Sequence, residues 1–347
     1  GKFMKEFSVA IVGVTGAVGQ EILNCLEERN FPVGKIKFLA SSRSAGKKVA
    51  FKGEMYEIEE AKPESFEGID IAFFSAGASI SKELAPEAVK RGTLVVDNSS
   101  AFRMDEGVPL VVPEVNPEAI TEHKGIIANP NCSTIIMVVS LKPIHDKARI
   151  KRVVVSTYQA VSGAGHAAMV ELEEQSKAYL EGKEVIPKII PVAKGEKHYQ
   201  IAFNLVPQID VFFEDGYSKE EIKMIDETRK ILNEPELSIT ATTIRVPVFR
   251  SHSESINIET EIRLTREEAM EIFTNAPGIE VLDDIDRQIY PMPLDSSGKD
   301  PIYVGRIRED NSIENGLNIW VVGDQIRKGA ALNAVQIAEC VISKKLL

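Results

Sequence analysis

The first third of the chain alternates short, continuous apolar runs with stretches of helical spacing. Residues 8–13, "SVAIVG", read as a buried strand that ends in glycine, and apolar residues then recur at helical spacing to about Arg29. Further strands are predicted at 35–40, 69–75, 93–97 and 125–128, with a helix at 79–91. Strands that alternate with helices predict a Rossmann-like, doubly wound α/β domain built on a parallel sheet.

From residue 151 onward the pattern changes to long strands with fewer helices. The runs "RVVVSTYQAV", "TTIRVPV", "ESINIETEIRL" and "NIWVVGD" predict strands, and 167–180 and 218–232 predict helices. Ser218 and Glu221 are three apart, which is typical of a capping box. This pattern predicts an α+β domain with a mainly antiparallel sheet. We expect residues 1–132 and a returning C-terminal helix, 328–347, to form one domain, and 133–327 the other.

A glycine-rich turn follows the first strand, with the pattern G-x-x-G-x-x-G between a predicted strand and helix. Glycines there permit a tight turn and let backbone N–H groups approach a pyrophosphate at the helix N-terminus. The residues expected to contact a dinucleotide in this way are Gly13, Thr15, Gly16, Ala17 and Val18, with Ser75 at the end of a later strand.

The segment after the second strand, "LASSRSAGK", lacks the acidic residue that hydrogen-bonds the adenosine ribose in NAD-binding sites. Ser41, Arg43 and Ser44 stand there instead. A carboxylate would repel a 2′-phosphate, whereas an arginine can form a charge-assisted hydrogen bond with it. The sequence therefore predicts NADP as the cofactor.

Composition excludes several classes of protein. A net charge of −11 over 347 residues argues against a nucleic-acid-binding role, and no apolar run reaches the length of about 18 residues that predicts a membrane span. The three cysteines are far apart and form no C-x-x-C pair, which favours a reducing, cytoplasmic setting over a disulfide framework. No cluster of His or Cys has the spacing of metal ligands, so no metal is predicted.

One of the three cysteines lies in a polar segment that is not typical of a buried core residue. Cys25 and Cys340 lie in apolar helical patterns, where a thiol behaves as a small hydrophobe. Cys132, in "NPNCST", is surrounded by polar residues and precedes an apolar helical pattern. The positive end of a helix dipole favours a thiolate, so Cys132 is expected to be a reactive cysteine rather than a structural one.

Eight ordered motifs resemble those of the aspartate-semialdehyde dehydrogenase family. They extend from about Ser8 to Ile342 and read "IVGVTGAVGQEIL", "SSAFRMD", "VPEVNPE", "NPNCST", "STYQAVSGAG", "RVPVFRSHSESI", "YVGRIR" and "GDQIRKGAALNAVQIAE". The resemblance implies NADP-dependent reductive dephosphorylation of 4-phospho-L-aspartate to aspartate 4-semialdehyde through a cysteine thioester. This is an early step toward lysine, threonine and methionine.

The resemblance also implies roles for individual residues. Cys132 would be the nucleophile, His252 the general acid–base, and Gln159 the residue that orients the intermediate. Substrate contacts are implied for Arg103, Asn131, Glu220, Lys223 and Arg245, and further cofactor contacts for Ser162, Gly163 and Gln325. Arg245 and His252 are seven residues apart and would face opposite sides of one strand. If both reach the substrate, the segment "VFRS" must interrupt that strand.

Other functions compete with this prediction. N-acetyl-glutamyl-phosphate reductase shares the architecture and the thioester chemistry but acts on a longer, acylated substrate. Glyceraldehyde-3-phosphate dehydrogenase is more remote, and its usual acid after the second strand is missing here. A non-catalytic NADP-binding sensor would need neither the cysteine nor the histidine.

The family also suggests a homodimer joined through the second domain's sheet, or a tetramer.

Overall fold

The computed structural model describes residues 5–347. They form two compact units, one comprising the residues up to Asn131 together with Ala330–Leu347, the other comprising Cys132–Gly329. The strands are β1 Phe7–Val12, β2 Val33–Ala40, β3 Lys48–Phe51, β4 Glu54–Glu57, β5 Glu59–Glu60, β6 Ile71–Phe74, β7 Leu94–Asp97, β8 Ile126–Ala128, β9 Ile150–Gln159, β10 Ser238–Arg245, β11 His252–Thr260, β12 Ile279–Val281, β13 Ile302–Asp310 and β14 Gly316–Gly323. The α-helices are α1 Ala17–Glu28, α2 Ala78–Lys90, α3 Cys132–Ala148, α4 His166–Leu180, α5 Lys219–Leu232, α6 Arg266–Thr274, α7 Pro293–Ser296 and α8 Leu332–Ser343.

The sheet of the first unit is parallel, with the strand order β5-β2-β1-β6-β7-β8. Helices α1 and α8 contribute buried apolar side chains to one face, and α2 contributes to the other. Burial on both faces favours apolar residues on both sides of a strand, which is why the central strands β1, β6 and β7 are mostly apolar. The predicted doubly wound fold is confirmed, although the β3–β4 hairpin did not emerge from the hydrophobic pattern.

The first strand leads into α1 through a turn that only glycine fits. Gly13 has φ of +89°, and a Cβ added to it would lie 2.2 Å from the backbone oxygen of Ser75. A Cβ on Gly19 would lie 2.2 Å from the oxygen of Gly13. These glycines allow the close approach of strand, turn and helix that a dinucleotide-binding turn requires.

The second unit contains a six-stranded mixed sheet with the order β10-β9-β11-β14-β13-β12. The central pairs β9–β11, β11–β14 and β13–β14 are antiparallel, whereas β10 pairs with β9, and β12 with β13, in parallel. The predicted α+β class is therefore correct. The parallel pairings depend on which strands meet across long connections, and hydrophobic pattern does not report that.

Helix α3 packs against one face of this sheet. Its residues from Ser133 to Leu141 are buried on all sides, as expected for a helix that is apolar around its circumference. Helix α5 begins at the predicted capping box, with Ser218 and Glu221 each bonding the other's backbone N–H. Helix α8 begins at Leu332, four residues after the predicted start at residue 328, because Arg327–Ala331 forms a π-helical turn.

Candidate active site

Cys132 is the first residue of α3 and is partly exposed. In contrast, Cys25 is buried in the apolar core of the first unit, and Cys340 packs against that core. The predicted helix-start position of Cys132 is therefore confirmed. A Cβ added to Gly329 would lie 3.2 Å from the Cβ of Cys132, so the backbone of a neighbouring turn lies against the base of this side chain.

Three predicted site residues form one row across neighbouring strands of the second unit. Gln159 ends β9, and its register partner on β10 is Arg245. His252 begins β11 on the other side of β9, next to the pairing of Ser253 with Tyr158. Because 246–251 lie outside both strands, the required interruption of the strand is present, and Arg245 and His252 flank Gln159 from opposite sides.

His252 is held by a hydrogen bond that defines its proton position. The backbone N–H of Ala160 donates to His252 Nδ1 at 2.9 Å, and the ring is fully buried. A neutral imidazole whose Nδ1 accepts carries its proton on Nε2. Burial, reinforced by the charge of Arg245, lowers the pKa of His252 well below its ordinary value, so the ring is neutral near pH 7.

Arg245 is also buried, and its guanidinium is fixed by the same turn. Its Nη1 donates to the carbonyl oxygen of Ala160 at 2.8 Å. Burial lowers the pKa of Arg245, while the charges of Glu220 and Cys132 oppose that shift. Gly163 lies directly against this arrangement, because an added Cβ would be 2.9 Å from Arg245 Nη1.

Gln159 connects this row to helix α5. Its Nε2 donates to Glu220 Oε2 and to Thr157 Oγ1, both at 3.1 Å. Glu220 lies in the first turn of α5, so the capped start of that helix sets the position of the carboxylate. Lys223 lies one turn later, where its Nζ is 3.9 Å from Asp210 Oδ2.

Ser162 and Gln325, both predicted cofactor contacts, bond directly to each other. Gln325 Nε2 donates to Ser162 Oγ, and its Oε1 accepts the backbone N–H of Ser251 at 2.7 Å. Ser251 has φ of +80°, an uncommon conformation for a residue with a side chain, and it immediately precedes His252. Gln325 therefore supports the turn that directs His252 into the row.

Glu254 is a buried acid that sequence reasoning missed. It is fully buried on β11, two residues after His252 and therefore on the same face of the sheet. Neither carboxylate oxygen has a hydrogen-bond partner among residues 5–347. Burial, with a further contribution from Glu220, raises the pKa of Glu254 well above its ordinary value. Because side chains alternate between the two faces of a strand, the sequence spacing of two residues was enough to predict that Glu254 lies on the same face as His252.

The first unit contains a cleft of about 500 Å³ at the carboxyl ends of its central strands. Gly13, Thr15, Gly16, Ser41 and Ser75 are among the residues that line it. Ligands bind at this edge of open α/β sheets, so the cleft has the position expected for a dinucleotide.

The remaining predicted cofactor contacts do not line this cleft. Ala17 and Val18 form the first turn of α1, and no side chain caps that helix, which leaves its N-terminal N–H groups suited to an anion. Arg43 and Ser44 lie in the turn that directly follows Ser41, a residue that lines the cleft. Arg43 is exposed there.

Arg103 and Asn131, the other predicted substrate contacts, also belong to the first unit, and both are buried. The Nε of Arg103 donates to the carbonyl oxygen of Asn129 at 2.9 Å. Asn129 lies three residues before Cys132 in the chain. The segment that precedes the predicted nucleophile therefore also contacts Arg103, a predicted phosphate-binding residue.

Within residues 5–347, no helix combines the length and apolar character needed to cross a membrane. No group of three or more His, Cys, Asp or Glu side chains in that part of the chain is arranged to hold a metal ion.

Two family models match the chain. The model described as "Semialdehyde dehydrogenase, NAD binding domain" matches residues 8–123, and "Semialdehyde dehydrogenase, dimerisation domain" matches residues 141–328. The aspartate-semialdehyde dehydrogenase of Aquifex aeolicus is 58% identical over 344 residues, which is 98% of this chain and 99% of that protein. The Bacillus subtilis enzyme of the same name is 55% identical, covering 95% of this chain and 96% of that protein.

Solved structures show the same similarity. Aspartate semialdehyde dehydrogenase II from Vibrio cholerae, complexed with ASA, superposes with a TM-score of 0.93 at 46% identity, covering 98% of this chain and 99% of that one. The Candida albicans aspartate semialdehyde dehydrogenase, solved with NADP, has a TM-score of 0.75 at 28% identity, covering 99% of this chain and 100% of that one.

Proposed function

The chain belongs to the aspartate-semialdehyde dehydrogenase family, and we propose that it converts 4-phospho-L-aspartate to L-aspartate 4-semialdehyde with release of inorganic phosphate. The observation that carries this proposal is the row of Arg245, Gln159 and His252 in the unit whose first helix begins with Cys132. This set supplies a nucleophile, a carboxylate ligand and a neutral hydrogen-bond donor. A sensor that only bound a nucleotide would need none of them.

Cys132 forms the covalent intermediate. Its thiolate attacks the acyl carbon, the carbon–oxygen bond to the phosphoryl group breaks, and phosphate leaves with that electron pair. The product of this step is a thioester on Cys132. When bound, the nicotinamide cofactor supplies the hydride that reduces this thioester. The carbon–sulfur bond of the resulting thiohemiacetal then breaks, which frees the aldehyde and restores the thiolate.

His252 acts in this scheme through Nε2–H. The bond from Ala160 N–H occupies Nδ1, so Nε2 enters the reaction protonated and can donate to the substrate's acyl oxygen. That oxygen gains negative charge when the thioester forms and again when it is reduced, and a prepositioned donor stabilises that charge. The histidine is thereby assigned the donor side of the acid–base role that the family resemblance implies.

Charged side chains are assigned to the two ends of the substrate. Arg245 would bind the carboxylate in a bidentate pair, and its fixed bond to Ala160 orients the fork for that contact. Arg103 and Lys223 would bind the phosphate, with Glu220 beside Lys223 on the first turns of α5 and Asn131 next to the nucleophile. Binding both ends holds the acyl carbon in one orientation.

NADP is the cofactor that we infer. The turn from Gly13 to Gly16 leaves room for a pyrophosphate, because a Cβ on Gly16 would meet only one neighbouring atom, at 3.7 Å. Ser41 lines the cleft where the adenosine ribose of a dinucleotide lies, and Arg43 follows in an exposed position from which it can reach a 2′-phosphate. Because a nucleophilic thiol must be reduced to react, we also infer a reducing, cytoplasmic setting.

A homodimer is the assembly that we infer. The face of the second sheet opposite Gln159 carries Tyr158 and Trp320, whose ring centroids are 5.7 Å apart, beside a cleft of about 450 Å³. Met292 lines this cleft and is exposed, as is Leu294 two residues later, which supports burial of this surface by a second copy. Sedimentation of the purified chain distinguishes a dimer from a monomer or tetramer.

One assay tests the proposed reaction. Purified protein should reduce NADP with aspartate semialdehyde only when phosphate is present, and should do so faster than with N-acetylglutamate semialdehyde. A faster reaction with the acylated aldehyde would assign the chain to the reductase of the longer substrate. NADP binding without turnover of either aldehyde would favour the sensor. Arg245→Lys keeps the charge but loses the planar fork, so it should impair turnover strongly.

A further inference from the structure

The carboxylate of Asp97 joins two segments of the first unit. Asp97 is the last residue of β7 and is fully buried. Its Oδ1 accepts from Ser81 Oγ on α2 at 2.7 Å, and its Oδ2 accepts from Ser99 Oγ at 2.8 Å. Ser99 Oγ in turn accepts the backbone N–H of Ala101 at 3.2 Å. The carboxylate therefore ties down the loop that continues to Arg103.

The backbone of Asp97 reaches Arg103 by a second route. The carbonyl oxygen of Asp97 accepts the N–H of Asn129 at 2.8 Å, and the carbonyl oxygen of Asn129 accepts Arg103 Nε–H at 2.9 Å. The Asn129 side chain donates to Asn98 Oδ1 at 2.9 Å and to Ala330 O at 3.0 Å. Asp97 is therefore connected to Arg103 in two ways: its backbone by hydrogen bonds through Asn129, and its carboxylate through Ser99 to the backbone of Ala101, two residues before Arg103.

Local folding does not require an acid at this position. The rest of β7, Leu94 to Val96, is apolar, and its neighbours in the sheet are apolar as well. Burying a carboxyl costs free energy that an apolar residue would not. Burial raises the pKa of Asp97, while the bonds from Ser81 and Ser99 and the charge of Arg103 oppose that shift. An acid at such a position calls for a role beyond packing.

We propose that Asp97 is a positioning residue for phosphate: through Ser99 it fixes the loop that orients the Arg103 guanidinium. The inference rests on the proposed function, in which Arg103 binds the phosphate. A bidentate contact to phosphate requires the guanidinium plane to be held in one orientation. The Nε bond to Asn129 and the tethered loop together define that plane.

The test measures the reverse reaction, with NADP, aspartate semialdehyde and inorganic phosphate. Asp97→Ala and Ser99→Ala should each raise the KM for phosphate about ten-fold, the equivalent of one hydrogen bond of about 1.4 kcal/mol. The turnover number at saturating phosphate and the KM for the aldehyde should stay near those of the wild type. Ser81→Ala is the matched control, because it removes the bond to α2 and leaves the bond to the loop.

A double variant distinguishes loss of the Asp97–Ser99 hydrogen bond from a general loss of order in the loop. Asp97→Ala combined with Ser99→Ala should raise the phosphate KM no further than Asp97→Ala alone, since both remove the same bond. Ser99→Ala provides the measurement if Asp97→Ala does not fold, because it removes the bond to the loop and leaves the carboxylate in place. An unchanged phosphate KM, or an equal loss in turnover and in both KM values, would overturn the inference. Failure of the proposed function would be visible in the wild type, as a lack of phosphate-dependent turnover.

Discussion

Gly163 gives the sharpest test of the arrangement around Arg245 and His252. The conformation of Gly163 does not itself require glycine, because no positive φ is recorded for it. In Gly163→Ala the new Cβ would lie 2.9 Å from Arg245 Nη1, and 3.3 and 3.4 Å from His252 Cε1 and Nε2. The consequence of the substitution is therefore a steric one, directed at these two side chains.

The size of the effect follows from those distances. Ordinary contacts of a Cβ begin at 3.4 Å, so the guanidinium must retreat by about 0.5 Å from its bond with Ala160. A hydrogen bond of a charged group contributes about 1.5–3 kcal/mol, and about 1.4 kcal/mol corresponds to a factor of ten. We expect kcat/KM for aspartate semialdehyde to fall about 10- to 100-fold. Overpacking should also cost about 1–3 kcal/mol of unfolding free energy.

Steady-state kinetics with each substrate varied in turn provides the assay, and urea denaturation gives the unfolding free energy. Gly195→Ala is the control, because its Cβ would be similarly crowded, at 3.1 Å from Val192 O, in a loop that carries no predicted site residue. That variant should lose some stability and keep its kcat/KM. Wild-type kcat/KM in Gly163→Ala would refute the reasoning. So would a loss confined to NADP affinity, since Gly163 would then contact only the cofactor.

Four further predictions follow from single side chains. Cys132→Ser should remove nearly all turnover while NADP still binds, because a serine hydroxyl stays protonated without a strong base, and brief alkylation should label Cys132 before Cys25. Arg43→Ala should weaken NADP binding, measured by calorimetry, by about 1.5–3 kcal/mol and leave NAD binding unchanged. Equal losses of binding free energy for NADP and NAD would mean that Arg43 only supports its loop. Because the pKa of His252 is lowered in the folded state, the unfolded state binds more protons below about pH 6.5. Wild-type stability should therefore fall relative to His252→Asn as pH decreases through that range, and identical pH profiles in denaturant titrations would contradict this. Because the pKa of Glu254 is raised in the folded state, the folded protein loses stability relative to the unfolded chain as pH rises above about 4.3. Glu254→Met should therefore stabilise the fold by about 1–3 kcal/mol at pH 7, with a smaller gain near pH 4. Destabilisation at both pH values would show that the Glu254 carboxyl has a partner.

The sequence alone determined the features that depend on short stretches of chain. Short, mainly apolar strands between helices predicted the parallel sheet, because burial on both faces favours apolar residues at most positions of the central strands. The capping box at Ser218 and the helix start at Cys132 were predicted correctly, because caps and turns are set by a few adjacent residues. The family followed from ordered motifs, each of which is likewise local.

Only the tertiary structure decided which distant residues meet. Arg245 and His252 come together around Gln159 because β10 and β11 pair with opposite edges of β9, and pairing partners are not encoded in hydrophobic spacing. The proton position of His252 depends on the N–H of Ala160, 92 residues away in the chain, and the ionisation of Glu254 depends on complete burial. Burial and hydrogen-bond partners are properties of the packed chain, so charge states in this site could be assigned only after the strands were in register.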